Sequence, residues 1–198
     1  AMIDTAESAH REVHSMLLRM REIAVQAVNG TLNTADRTAL NTEMTAMETE
    51  INKIADNTQF GGINLGTSSA VTFQVGAAKG VTITHTFKDF DATKIGATGG
   101  VDTATNAANA ISLIDDAISL VSTRRGELGA LSNRLTSTIA NLDNVAVNLS
   151  SARGRIQDAD FATETSNLAK SQIMQQAATA MLAQANASKG TVLTLIQN

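Results

Sequence analysis

Glu7, His10 and His14 are the first side chains whose types and spacing could do chemistry, because three and four residues apart on a helix they could in principle hold Zn²⁺. The local order is His10-Arg11-Glu12-Val13-His14, so the acid stands one place away from where a helical metalloprotease motif needs it. Both imidazoles fall beside or outside the apolar seam described below, and a solvated helix face is the expectation. His85, the third histidine, alternates with Thr84 and Thr86 on the side of Ile83 and Phe87 and is expected on the inner face of a hairpin, packed against helices. The carboxylate pairs Asp115-Asp116 and Asp158/Asp160 have no base or pocket-forming segment nearby, and they read as solvated faces and a helix-junction cap. Gly61-Gly62 and Gly99-Gly100 are turn glycines without the strand, helix and Lys that a phosphate loop requires. No catalytic constellation survives, so neither an enzyme nor a metal or organic cofactor is expected.

The elements that position these residues follow from an unusual composition. The chain has 198 residues, 43% of them hydrophobic, yet it contains five Phe, no Trp, no Tyr and no Pro. A core built from Ala, Ile, Leu, Val and Met without large rings favours helix-on-helix packing, and the absence of Pro permits long uninterrupted helices. Without cysteine there is no disulfide scaffold, thiolate zinc site or Cys nucleophile. A net charge of −4 argues against nucleic acid as the main partner. No run approaches the ~18 consecutive apolar residues of a membrane span, and no basic stretch leads into an apolar one at the start. The expectation is a soluble chain with no membrane partner and no cleavable signal peptide.

Ala6, Ala9, Val13, Met16, Met20, Ile23 and Ala27 alternate in three- and four-residue steps, a coiled-coil seam over residues 1 to 28. Gly30 ends it, and Asn33 with Asp36 forms an expected capping box for a second helix with its seam at Leu40, Met44, Met47, Ile51 and Ile54. Between Phe60 and Gly100 the period drops to two. Val71, Phe73 and Val75, then Val81, Ile83, His85 and Phe87, read as a β-hairpin around a loop of Gly76 to Gly80. From Ala107 a heptad seam runs through Ile111, Ile114, Ile118, Val121, Leu128, Leu135, Ile139, Leu142, Leu149 and Ile156, interrupted by Arg125, Ser132 and Arg153. At about 1.5 Å per residue this is a rod of roughly 75 Å, and the first two helices are expected to cover much of it.

Residues 161 to 198 carry only Glu164, Lys170 and Lys189 as charges, with apolar atoms on several faces. That is the pattern of a helix buried on more than one side, and nothing left in the chain could bury it. At the other end Met2 and Ile3 are already apolar and position 1 has no capping residue. The expectation is a helical segment preceding residue 1 that pairs with the C-terminal helix. The predicted fold is mainly α, an elongated antiparallel helical bundle or coiled-coil rod with a small β-hairpin. Its expected parts are core helices at 1–56, a turn and hairpin region at 57–103, a long core helix at 104–157 and a terminal helix at 158–198.

The segments Leu18–Gln26 (LRMREIAVQ), Asn33–Arg37 (NTADR) and Asn57–Gly62 (NTQFGG) closely resemble the N-terminal core of bacterial flagellin. Arg134–Leu142 (RLTSTIANL), Ala152–Asp160 (ARGRIQDAD) and the long stretch from Phe161 to Asn186, with Val192 to Ile196, resemble its C-terminal core. The resemblance implies a filament subunit exported unfolded by the flagellar type III apparatus, polymerised with its own copies outside the cell for swimming motility, with its terminal helices forming an inner tube. The short middle implies that the variable outer domains of larger flagellins are absent. It implies further partners: an export chaperone, cap and hook-junction proteins, and the host Toll-like receptor for flagellin. Matched position by position, Arg19, Ile23 and Glu43 would face that receptor, Ile23 standing where the family usually has Leu. Phe161, Leu168, Ile173, Met174, Met181, Leu182, Leu193, Leu195 and Ile196 would serve the inner tube or the chaperone. A hook–filament junction protein and a free-standing coiled-coil adaptor are the alternatives.

Overall fold

The computed structural model describes the backbone of residues 1–196 and the side chains of residues 1–158 and 160–190. It contains three helices, α1 (Met2–Val28), α2 (Thr34–Asn57) and α3 (Ala104–Ile196), and two antiparallel hairpins, β1 (Gln59–Phe60) with β2 (Ile63–Asn64) and β3 (Ser69–Gln74) with β4 (Thr82–Phe87). The chain divides into two compact units, Ala1–Ala140 and Asn141–Asn198.

In the first unit, α1 stops at Asn29-Gly30, and the Arg37 guanidinium donates to the carbonyls of Ala27, Asn29 and Leu32 at 3.0 Å each, closing the helix end and the turn after it. The next helix starts where the spacing predicts. Asn33 Oδ1 accepts from the Asp36 N–H at 2.9 Å, and Asp36 Oδ2 accepts from the Asn33 N–H at 3.2 Å, a complete capping box. The hairpin also forms as expected, with Val71 opposite His85 and Phe73 opposite Ile83. Val75 N–H donates to Val81 O at 2.9 Å, leaving Gly76 to Gly80 as the loop.

The smaller hairpin was not expected. Gly61 (φ 58°) and Gly62 (φ 82°) make a two-residue turn in the left-handed region, open to glycine at little cost. Gly66 then passes so close to α2 that a Cβ there would lie 2.0 Å from the Ala55 carbonyl oxygen.

Ion pairs fix α1 antiparallel to α3: Arg21 to Asp115 at 2.6 Å, and Arg125 to Glu7 at 3.0 Å. The core between the helices joins Leu17, Met20 and Ile23 of α1, Met44 and Ile51 of α2, and Ile114 and Val121 of α3, with Phe90 and Val101 from the segment after the hairpin. Alanines at 9, 24, 27, 107, 110 and 117 sit in the same cluster. They let the backbones approach closely, so a dense interior forms with few aromatic rings. Leu17 takes the fully buried position and Met16 only flanks it, because α1 packs on two helices and its buried stripe is wider than a coiled-coil seam. The expected seam residues Val13, Met20 and Ile51 are buried, Leu40, Met47, Ile111 and Ile118 pack against the cluster, and Leu128 joins a second cluster with Ala6, Leu65 and Phe87.

One face of α2 also binds the segment after the hairpin. Asn52 Oδ1 accepts from Ala92 N–H at 2.9 Å, Glu48 Oε1 from Gly99 N–H at 3.2 Å, and Asn41 Oδ1 from Val101 N–H at 2.8 Å. These bonds satisfy amides in a stretch with no regular pairing of its own.

Two expectations fail in α3. Burial stops after Leu131, so Leu135 is half-buried while Leu142 and Leu149 are exposed, instead of lying in a covered seam. Antiparallel to α3, α1 packs Ala6 beside Leu128 and brings Ile3 and Asp4 to the level of Gly129 and Ser132. Nor does a junction form at Asp158 and Asp160, for α3 passes through both unbroken. No Gly or Pro stands between Arg155 and Lys189, so nothing there interrupts the hydrogen-bond ladder.

Candidate functional site

Arg19 and Glu43 belong to different helices and the fold brings them together. Arg19 Nε and Nη2 donate to Glu43 Oε1 at 3.2 and 2.9 Å, and Nη1 donates to Glu22 Oε2 at 3.0 Å. The hydrogen bonds it donates to Glu43, then to Glu22, hold the guanidinium above its ordinary value, and the group stays exposed and cationic. Ile23 does not join this surface, contrary to expectation. It is 0% exposed although it stands one turn from Arg19, because it borders the stripe of Met20 and Ala27 that the neighbouring elements cover. A partner docking on this face would meet Arg19, Glu22 and Glu43 without touching Ile23.

The second surface is the helix over residues 141–190. Phe161 is 73% exposed and Met181 72%, and Leu168, Ile173, Met174 and Leu182 are also largely exposed, joining Leu142, Val145, Val147, Leu149 and Ile156. Leu193, Leu195 and Ile196 lie outside the residues whose side chains are described. Burying one such side chain is worth about 1.5–3 kcal/mol, and a helix without tertiary packing is marginal in water. A single chain leaves this surface wet. An apolar face of this extent marks an interaction surface.

The histidines separate. His14 is half-buried on α1, whereas His10, expected on a solvated face, is 3% exposed with its ring centroid 4.5 Å from that of Phe90. Phe90 comes from the segment after β4 and covers a position that the α1 pattern alone leaves outside the seam. Glu7, which with His10 and His14 was read as a solvated face, accepts from Arg125 at 3.0 Å and Arg11 at 2.8 Å, and those bonds hold its carboxyl below the usual value. Asp115 pairs with Arg21 rather than acting with Asp116. Among the described residues no group of three or more His, Cys, Asp or Glu could hold a metal ion, and no helix is long and apolar enough to cross a membrane. His85 sits on the inner face of β4, half-buried, its ring edge-on to Phe87 at 5.0 Å. Sequence reasoning missed the Arg125–Glu7 bridge, although a cation inside an otherwise apolar seam was its signal.

The comparisons with known proteins decide what these surfaces belong to. The family model for the bacterial flagellin N-terminal helical region matches residues 1–68, and that for the bacterial flagellin C-terminal helical region matches residues 111–196. A flagellin of Halalkalibacterium halodurans is 43% identical over all of this chain and 74% of its own length. The chain belongs to the bacterial flagellin family. It is a structural subunit of the flagellar filament, which flagellin builds outside the cell by self-assembly. The crystal structure of Bacillus cereus flagellin superposes with a TM-score of 0.65 at 29% identity, covering 71% of this chain and 83% of that one. A structure described as a putative flagellar hook-associated protein from Vibrio parahaemolyticus shares the fold, with a TM-score of 0.63, 19% identity, and coverage of 77% and 84%. As a flagellin the chain combines a packed unit at residues 1–140 with a helix whose described apolar side chains from Leu142 to Leu182 are exposed.

Proposed function

We propose that polymerisation completes the burial that the free subunit lacks, and that folding of residues 158–198 is coupled to assembly into an inner tube. The exposed apolar side chains from Leu142 to Leu182 carry this reading. Coupled ordering is the expected behaviour of a segment that cannot bury its own surface, and contacts between unlike surfaces that do not close into a ring generate a helical filament. The same face, with Leu193, Leu195 and Ile196, is what an export chaperone would cover before secretion through the type III apparatus without a cleaved signal. Cap and hook-junction proteins would meet the subunit at the filament's ends. The core parts at 1–56, 57–103 and 104–157 then line the outer layer of the tube. The family match favours a filament subunit over a hook–filament junction protein or a separate adaptor.

The test is growth from filament seeds. Ile173→Asp and Leu182→Asp each place a charge on the uncovered face and should lower elongation at least ~10-fold, the consequence of burying an unpaired charge, while the thermal midpoint of residues 1–140 holds. Unchanged elongation with both variants would refute the assembly role of this face. A second proposal concerns Arg19 and Glu43: their exposed pair is the part of the receptor surface left accessible once Ile23 is excluded. Arg19→Ala should weaken response in a reporter cell carrying the host receptor, and Ile23→Val should not.

A further inference from the structure

Of the described titratable side chains, His10 is the deeply buried one that assembly does not use. Its Nδ1 lies 2.8 Å from the Ala6 carbonyl oxygen. A carbonyl only accepts, so the neutral ring carries its hydrogen on Nδ1, and Nε2 is the atom that takes up a second proton. The ring borders a gap of about 10 Å³, shared with His85 and Lys88 at the hairpin and with Arg124 and Glu127 of α3, and with room for at most about one water. Phe90 covers the ring, and Phe87 at the end of β4 packs on Ala6 and Leu128.

We propose that His10 is an acid-sensitive latch: neutral, it lets the root of the β3–β4 hairpin close on the α1–α3 pair, and protonated, it releases that root while the helix pairing persists. The charges facing the ring set the direction. From α3 come Arg124, whose Nη1 donates to the Asp89 carbonyl, and Arg125, bonded to Glu7. From the hairpin and its exit come Lys88 and His85. The carboxylates are Glu7, already held by Arg125 and Arg11, Glu127 at the gap, and Asp89, whose Oδ1 is buried without a hydrogen-bond partner. On α2, Lys53 lies near this level by the antiparallel register, but it is exposed and pairs with Glu50 at 3.4 Å. A proton on Nε2 therefore adds a third cation beside Arg124 and Arg125, under an aromatic cover and beside a gap with room for about one water. Relief comes from lifting the hairpin root, with Phe87, off Ala6 and Leu128, since the helices keep Leu17, Met20, Ile51 and Ile114 packed below.

Burial holds His10 below its ordinary value, with Arg124 and Arg125 acting in the same sense and the Ala6 bond and Glu7 opposing. The open state, with an ordinary imidazole near pH 6.5, thus binds more protons than the closed state. Closure is at full strength above about pH 6.5 and weakens as pH falls toward the depressed value, the open-to-closed ratio rising about tenfold per pH unit in between. His85 is shifted downward too, mainly by its burial, so the two rings must be separated by mutation.

The experiment follows the three histidine rings and the backbone amides by NMR in the 198-residue chain while pH is lowered from about 7.5 to 4.5. The expected result is a His10 midpoint below the free-imidazole value, with the amides of Thr82–Phe87 changing at that same midpoint while those of Leu17–Ala27 hold. His10→Gln abolishes the hairpin response and His85→Gln preserves it. If His10→Gln fails to fold, the wild-type midpoints decide. The proposal falls if His10 titrates like free imidazole, if the hairpin responds unchanged in His10→Gln, or if the α1 amides move with the hairpin.

Discussion

Residues 104–131 and 142–182 belong to one helix and both are rich in apolar side chains, but those side chains meet opposite fates. In the first stretch Ala107, Ile114, Val121 and Leu128 are buried against α1, α2 and the hairpin root, and in the second Leu149, Phe161, Ile173 and Met181 face solvent. The pattern states that a helix has a partner. It does not state whether the partner lies in the same chain. On the assembly proposed above, the second stretch meets its partners in neighbouring subunits.

Truncation should separate the two stretches most sharply. Leu17→Ala opens a cavity in the first unit and should cost about 2–5 kcal/mol in denaturant unfolding of residues 1–140, whereas Leu149→Ala in the free subunit should fall within about 0.5 kcal/mol of wild type. Equal effects would mean that Leu149 already has a partner. The glycines sharpen the comparison at the next magnitude. Gly66→Ala drives a methyl group into the Ala55 carbonyl and should cost about 1–3 kcal/mol by thermal unfolding. Gly154→Ala, at a helical position with nothing within 4 Å, should instead raise helix content by circular dichroism, in line with a gain of about 0.5–1 kcal/mol. Smaller still, Asn33→Ala removes the capping box and should lower the first unit's stability by about 1 kcal/mol without altering residues 141–190.

Much of the first unit was legible because its signals are local. The three- and four-residue steps of α1, the Asn33–Asp36 box and the alternation of Val71 to Phe87 each report on a few neighbours in sequence. What escaped depends on segments distant in the chain. His10 is covered by Phe90, eighty residues on, and Glu7 is held by Arg125 across the bundle. Ile23 was matched to a surface by family position, but the two-sided packing of α1 turns it inward. The end of burial at Leu131 could not be read from α3, where Leu and Ile continue beyond it at Leu135, Ile139 and Leu142. Gly66 also carried no local signal, because its need for a hydrogen side chain comes from the α2 backbone beside it.

The most direct measurement is amide hydrogen exchange on the free subunit and on the same subunit grown onto filament seeds. The central claim is that the exposed apolar side chains from Leu142 to Leu182 become covered on assembly. The amides of residues 141–196 should exchange close to the rate of an unpacked helix in the free chain, while Leu17–Ala27 are protected, and both segments should be protected in the filament. Strong protection of residues 141–196 in a subunit shown to be monomeric would contradict the claim, since the apolar face would then already be covered within one chain.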